Sequence, residues 1–362
     1  MRLTCRAAVA AGLVLHAASA AALTMSDGTL SINGSGTWGY LRTDDNFYLA
    51  DSDGDYATAG FDVALSARPA DQLVITAQLG FDPDEVALEW AFAEWRFSDL
   101  ARVRLGQVKQ PLGNYMELQF IGTARPFYFL PTSVYGPADI GATSYFGAGV
   151  TGALPCGDGY ELQYDAYGGA IELAVFEPYE VLEEGHDPAE LPELEEQLIE
   201  NIVGGRVSLV TPPGLVLRLS GYGGSVRKEA GEGRPAFFAG GLSALHHGER
   251  LWVSVEGFGF VESGSESQLS GYGEVAWFLT KSVQVAARYE VTRTFLEDVS
   301  GGSPLLRHDE AGLGLNYWFN PDFVLKTSVH RAEGLRFVGP REDASPPSGP
   351  TLLVVAGAQF TF

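Results

Sequence analysis

The chain has 362 residues, 12% of them aromatic, with 45 glycines and 23 basic side chains against 46 acidic ones. A balance this acidic excludes nucleic acid as a partner, because polyphosphate would be repelled, and suits attraction of cations or life in salt. With two cysteines in all, a disulfide framework is excluded as the source of stability.

In chain order, the first element is Met1-Arg2-Leu3-Thr4-Cys5-Arg6, a short basic region. An apolar segment follows from Ala7 to Leu15 and ends in Ala17-Ala18-Ser19-Ala20-Ala21-Ala22. This pattern predicts a secretory signal peptide over residues 1–22, cleaved after Ala20 or Ala22, with one domain over 23–362. The apolar run stops short of the roughly 18 to 20 residues that a spanning helix needs. Cys5 precedes the apolar core, the wrong side for a lipid-anchored cysteine, and leaves with the signal. Removing Arg2 and Arg6 leaves 21 basic residues, four of them lysine, against 46 acidic ones, a net charge near −25. Cys156, in the turn sequence Leu154-Pro155-Cys156-Gly157-Asp158-Gly159, is then a lone thiol.

No later stretch is apolar for as long as a membrane helix requires. A closed barrel is the other structure that satisfies every backbone group in lipid, and the remaining sequence has its rhythm. In Leu73-Val74-Ile75-Thr76-Ala77-Gln78-Leu79-Gly80-Phe81 the odd positions are apolar and their neighbours smaller and more polar. The runs from Val283 to Val291 and from Phe323 to His330 repeat this with Arg288, Glu290, Lys326 and His330 on the second face. Such strands suit lipid on one side and water on the other, and the charges belong inside, since one at mid-bilayer on the lipid face costs roughly 2 to 4 kcal/mol. About sixteen segments follow, starting near Gly28, Ala57, Gln72, Glu85, Ala101, Thr143, Tyr160, Asn201, Gly214, Arg234, Glu249, Gln268, Ser282, Arg307, Asp322 and Pro350. The prediction is an all-β, transmembrane antiparallel barrel.

The links alternate in length. After even-numbered segments they are tight, as in Ser98-Asp99, Thr211-Pro212-Pro213 and Asn320-Pro321. After odd-numbered ones they are mostly long, about thirty residues at 110–142 and 169–200. Short turns on one side and long loops on the other, with both termini on the short side, are what a membrane barrel requires; a soluble β-sandwich has no reason to keep this parity. Trp38 and Tyr40, Trp90, Phe92, Trp95 and Phe97, Trp277 and Phe278, and Tyr317, Trp318 and Phe319 sit near strand ends and fit interfacial girdles. In the last segment Leu352, Val354, Ala356, Ala358, Phe360 and Phe362 share one face, and the final residue is aromatic. This ending resembles the assembly signal of bacterial outer-membrane proteins.

The segment Arg104-Leu105-Gly106-Gln107-Val108-Lys109-Gln110-Pro111-Leu112-Gly113-Asn114-Tyr115, continued by Arg125-Pro126-Phe127-Tyr128-Phe129-Leu130-Pro131-Thr132-Ser133-Val134-Tyr135, resembles the fifth strand and constriction loop of the Gram-negative porin superfamily. The distant branch with the phosphate-selective porins is included in that resemblance. It covers the strand rhythm of the whole mature chain, and in motif detail about residues 102–136. It implies a sixteen-stranded barrel with an inward-folded third loop, a water-filled channel wide enough for small hydrophilic solutes. It also implies a homotrimer set among outer-membrane lipid and lipopolysaccharide, placed there by the barrel-assembly machinery, with no enzymatic role and no cofactor. Carried onto this chain, the constriction candidates are Lys109, Tyr115, Glu117, Arg125, Tyr128 and Asp139. Arg102 and Arg104 join them from the strand, and Arg68, Arg206, Arg218 and Arg288 are candidates for the lumen wall. Opposed rows of guanidinium and carboxylate would screen solutes by size and sign. With four lysines and no basic run along a loop, the chain departs from the phosphate-selective pattern. Weak cation preference or little selectivity is therefore expected.

Two further loops are acidic. Residues 177–200 carry ten carboxylates from Glu177 to Glu200, with Leu191, Leu194 and Leu198 at helical spacing, which predicts a short amphipathic helix with a solvated acidic face over the channel mouth. Asp51, Asp53 and Asp55 alternate around Gly54, a spacing usable by Ca²⁺, although the acid that closes an EF-hand loop is missing. Gly34-Ser35-Gly36-Thr37-Trp38-Gly39 has the G-x-G-x-x-G form but lies inside a strand with no helix after it, so a nucleotide site fails its context test. His246 and His247, as strand neighbours, point to opposite faces and cannot share a metal. Two rivals remain: a barrel enzyme working through His308 or His330, and a structural or adhesive barrel that does not conduct.

Overall fold

The computed structural model describes residues 23–25, 29–44, 46, 48–50, 52–56, 59–82, 86–136, 140–176, 194–228, 233–296, 306–334, 336–338 and 349–362. The predicted signal peptide lies outside the described residues. The strands are β1 (Leu23–Met25), β2 (Leu30–Thr43), β3 (Gly60–Ala70), β4 (Leu73–Phe81), β5 (Val86–Ser98), β6 (Ala101–Lys109), β7 (Ser144–Gly157), β8 (Tyr160–Phe176) and β9 (Leu194–Val210). They continue as β10 (Leu215–Val226), β11 (Ala236–His247), β12 (Leu251–Glu262), β13 (Glu266–Phe278), β14 (Val283–Leu296), β15 (Leu306–Asn320), β16 (Phe323–Gly334) and β17 (Thr351–Thr361).

From β2 onward each strand pairs antiparallel with the next, and β17 returns to β2 through Leu353↔Thr43 to Thr361↔Ser35. The result is the expected closed barrel of sixteen strands with no free edge. The short β1 lies against Leu30 to Ile32 of β2, continuing the place beside β2 that β17 leaves at Ser35. Seven tight links, at 71–72, 99–100, 158–159, 211–214, 248–250, 279–282 and 321–322, fall at one end of the barrel; at the other end the link 263–265 is as short, and most of the rest are longer.

Side-chain burial is inverted relative to a water-soluble protein. Leu313 is 70% and Leu242 65% exposed on the outer face, while Glu290 and Lys326 on the inner face are 0% and 1% exposed. This distribution is stable only where hydrocarbon, not water, bathes the outside. In β17 Leu352, Val354 and Phe362 point outward as expected, and Leu353, Val355 and Gln359 are buried inside.

The last strand also accounts for the glycine motif of β2. Phe362 and Gly34 exchange backbone hydrogen bonds of 2.9 Å in both directions. The rings of Phe362 and Phe360 lie over Gly34 and Gly36, where a Cβ would come within 2.3 and 2.4 Å of them. Glycine there admits a neighbouring ring against bare backbone.

Two expectations change. The eighth predicted segment, β9, begins at Leu194, not Asn201: Asn201 takes a positive φ of 54° at a bulge where the register of β9 slips against both β8 and β10. Leu194 and Leu198 therefore lie in strand rather than helix. A spacing of four satisfies both periods, which is why the sequence misleads at this point; Leu191 lies outside the described residues. The aromatic pairs also divide by face. Trp277, Tyr317 and Phe319 are exposed outward, whereas Trp318 is buried inside and donates from Nε1 to Gln284 Oε1 at 3.2 Å. Trp90 is likewise interior. Adjacent residues of a strand cannot both join a girdle.

Leu313→Arg, near the middle of β15 on the outer face, should destabilise the barrel by about 2–4 kcal/mol, read from urea titration of protein folded into liposomes.

Candidate functional site

The described residues between β6 and β7, 110–136 and 140–143, leave the wall and cross the interior. Pro111 lacks the N–H that would continue the ladder. Gly113 turns the chain with φ +59°, in a place where a Cβ would meet Tyr135 Oη at 2.5 Å and Glu256 Oε1 at 2.7 Å. Three single turns follow, Met116–Leu118, Gly122–Ala124 and Thr132–Tyr135.

This path offers the loop few backbone partners of its own, and the far wall supplies them. Asn114 N donates to Glu256 Oε1 at 2.6 Å, and its side-chain amide donates to Ser254 Oγ and Ala244 O at 3.1 Å each. Tyr115 Oη donates to Glu274 Oε1 at 2.9 Å, and Tyr135 Oη donates to Glu256. Ser133 N donates to Glu290 Oε2 at 2.8 Å. From the loop between β2 and β3, Tyr48 Oη donates to Glu310. Buried carboxylates on β12 to β15 thus receive donors from both loops, as buried acceptors must.

The loop therefore packs on β10 to β17, whose inward side chains are mostly buried, and through Leu112, Met116 and Ile140 on Tyr145, Tyr167, Ile171 and Ile202 of β7 to β9; the inward groups of β3 to β6 are mostly half-buried. Several sequence candidates meet along β5 to β9. Arg206 reaches Glu117 at 2.6 Å and Asp165 at 2.9 Å. Arg104 pairs with Glu94 at 3.0 Å, and Glu94 also takes Arg96 at 2.9 Å. Lys109 Nζ donates to Glu117 O at 3.1 Å and lies 4.3 Å from the Trp90 ring centre, a cation–π contact. The side chains of Glu117 and Arg104 are 27% and 21% exposed, so this strip faces the aqueous space. Burial by itself would raise the Glu117 carboxyl, but Arg206 and Arg104 outweigh it and hold the group below the ordinary carboxylate range.

Other candidates serve the loop. Arg218 donates to the Asn114 side chain, and Arg288 donates to Phe129 O at 2.9 Å beside Glu290 at 3.1 Å. Arg125 turns back on its own loop, donating to Tyr128 O at 2.9 Å, and burial pulls its guanidinium down to about 10. Tyr115 and Tyr128 are buried. Arg102 is half-buried, its Nε without a hydrogen-bond partner among the described residues, and Arg68 is exposed near the β3–β4 turn. Asp139 and Asp51 lie outside the described residues. Asp55 pairs its backbone with Leu41, and no cluster of metal-ligating side chains occurs among the described residues, so the calcium reading of Asp51, Asp53 and Asp55 rests on spacing alone.

The expected opposed rows thus give way to interleaved pairs. Glu256, Glu274, Glu290 and Lys326 were not singled out as site residues, although strand parity already placed Glu290 and Lys326 inside. Parity gives the face but not which part of that face the loop covers.

One interior row has the order of a hydrolase triad: Ser328 Oγ lies 2.8 Å from His330 Nε2, and His330 Nδ1 lies 2.6 Å from Glu310 Oε1. Ser328 and His330 are buried, with the Phe127 ring 5.5 Å from the imidazole. Residues of this stretch of β16 are paired on both sides, to β15 and to β17, which commits their N–H groups to the ladder. A hydrolase needs donors aimed at a developing oxyanion, and a mid-sheet strand cannot offer them.

No family model matches the sequence, and no curated relative does either. Solved structures do resemble the fold. OmpT, an outer membrane protein of Vibrio cholerae, superposes with a TM-score of 0.59 at 9% identity over 95% of this chain and 100% of its own, and has also been solved in a trimer form. An anion-selective porin from Comamonas acidovorans gives 0.58 at 11% identity over 92% and 99%. The outer membrane channel DcaP of Acinetobacter baumannii gives 0.58 at 10% identity over 93% and 99%. Strand number, closure and inward loop together give this chain the fold of the sixteen-stranded outer-membrane porins.

Proposed function

We propose that the protein is a porin of a bacterial outer membrane: a passive, water-filled channel for small hydrophilic solutes and ions, not an enzyme. The observation that carries this reading is the strip of Arg104, Lys109, Glu117, Asp165 and Arg206, wet on one side and held against a loop that narrows a barrel with an apolar exterior. Charges of both signs at a constriction screen solutes by size and polarity. Their near balance supports weak selectivity, with the acidic excess of the chain tilting it towards cations. A homotrimer embedded in lipid and lipopolysaccharide, delivered by the barrel-assembly machinery, accords with the fold and with the trimer form of OmpT.

In planar bilayers the mature protein should give steady channels with a reversal potential near zero or slightly cation-selective in a salt gradient. Clear anion preference would contradict the charge argument, and absence of solute flux in liposomes would favour an adhesive barrel. Glu117→Gln should shift the reversal potential towards anions and Arg104→Gln towards cations.

Acid sensitivity follows from the same pair. The Glu117 carboxyl is depressed, so its hold on Arg206 is complete above the ordinary value of 4.5 and is lost as pH falls through its lower, folded-state value. Conductance should therefore be steady from neutral pH down to that ordinary value and change only in stronger acid, whereas Glu117→Gln should show the acid behaviour already at neutral pH.

The hydrolase rival has its own check. Ser328→Ala should leave flux unchanged, and the purified protein should not be labelled at Ser328 by a fluorophosphonate.

A further inference from the structure

The stretch of the inward loop from Gly122 to Phe129 has two backbone hydrogen bonds of its own, Ala124 N to Ile121 O at 3.0 Å and Arg125 N to Gly122 O at 3.4 Å, and most of its carbonyls accept from side chains of the wall. Lys326 Nζ, on β16, donates to Gly122 O at 2.7 Å, Arg125 O at 2.6 Å, Phe127 O at 3.1 Å and the side-chain oxygen of Gln359 at 2.7 Å. Between them, Pro126 O accepts from Asn316 Nδ2 at 2.7 Å, and Tyr128 O accepts from Gln359 Nε2 at 3.1 Å. All four acceptors of Lys326 are uncharged, and the residue is 1% exposed. An ammonium has three N–H donors and no acceptor. Burying one without a carboxylate is costly unless every donor is used, and here the oxygens that use them belong mainly to the loop.

We propose that Lys326 positions the constriction loop: its ammonium gathers three loop carbonyls and thereby sets the width of the channel. This rests on the channel reading for its consequence but not for its geometry. Gly122 permits the approach, since a Cβ there would come within 2.4 Å of the Gln359 amide. Without the ammonium the three carbonyls lose their common donor, and the loop is free to move towards the half-buried side along β3 to β6, or to swell with water.

The test is Lys326→Ala, with and without n-propylammonium, which supplies the three carbons and the nitrogen that alanine lacks. Two readouts are taken on protein in liposomes: hydrogen exchange across residues 116–130, and single-channel conductance. Exchange in this stretch should accelerate, and conductance should rise roughly twofold or more as the narrowest section widens. Propylammonium should reverse both, while tetramethylammonium, equal in charge but without N–H donors, should reverse neither. Lys326→Met keeps the stem's length and volume; it serves where the alanine variant does not fold, and should accelerate exchange as well. Wild-type exchange in both variants would overturn the proposal. So would acceleration that propylammonium does not reverse, or that tetramethylammonium reverses equally, since either would mean that Lys326 only fills space. If the wild-type protein conducts nothing, the channel reading fails, and hydrogen exchange still decides the role of Lys326.

Discussion

Everything in this molecule follows from placing one sheet between two solvents. Backbone groups in hydrocarbon find no water, so the sheet must close on itself, and β17 pairing back onto β2 completes that closure. Once closed, each strand presents alternate side chains to oil and to the interior. Leu313 can then be largely exposed while Lys326, on the neighbouring strand, is almost wholly enclosed. The same alternation that keeps charge out of the lipid fills the interior with donors and acceptors.

That polar interior lets an irregular segment be buried at all. A loop that crosses a barrel without regular structure carries a backbone group at every residue, and each must find a partner. Glu256, Glu274 and Glu290 serve its N–H and hydroxyl donors, while Asn316, Lys326 and Gln359 serve its carbonyls. Acids and bases on the wall thus sort by loop register: acids where the chain enters and leaves, donors where it bends between. On β5 to β9 the matching is sparser: Arg206 and Lys109 hold Glu117 of the loop, and the remaining charges pair with one another and meet water.

How much of this was legible in the sequence depends on the range of the interaction. Strand parity is local, so Ile75, Gln78, Arg288 and Lys326 were assigned to faces correctly, and the short and long links gave the order of the barrel. Partners across the interior are separated by more than a hundred residues, as with Asn114 and Ser254 or Lys326 and Gly122. No spacing rule reaches that far, so Glu256 and Glu274 were not singled out. Intermediate cases failed through ambiguity. Leu194 and Leu198 fit helix and strand alike, and the glycines at 34 and 36 became meaningful only with the rings of Phe362 and Phe360 laid over them.

The charge of the chain illustrates the same separation of scales. A net charge of −23 suggests attraction of cations, yet the wet strip holds Arg96, Arg104, Lys109 and Arg206 beside Glu94, Glu117 and Asp165. Charges farther away than about 8–10 Å are largely screened at physiological ionic strength, so acids elsewhere in the chain add little to the field at this strip. There the field is local and of mixed sign. The weak selectivity proposed above rests on that local mix of charges and not on the net charge of the chain.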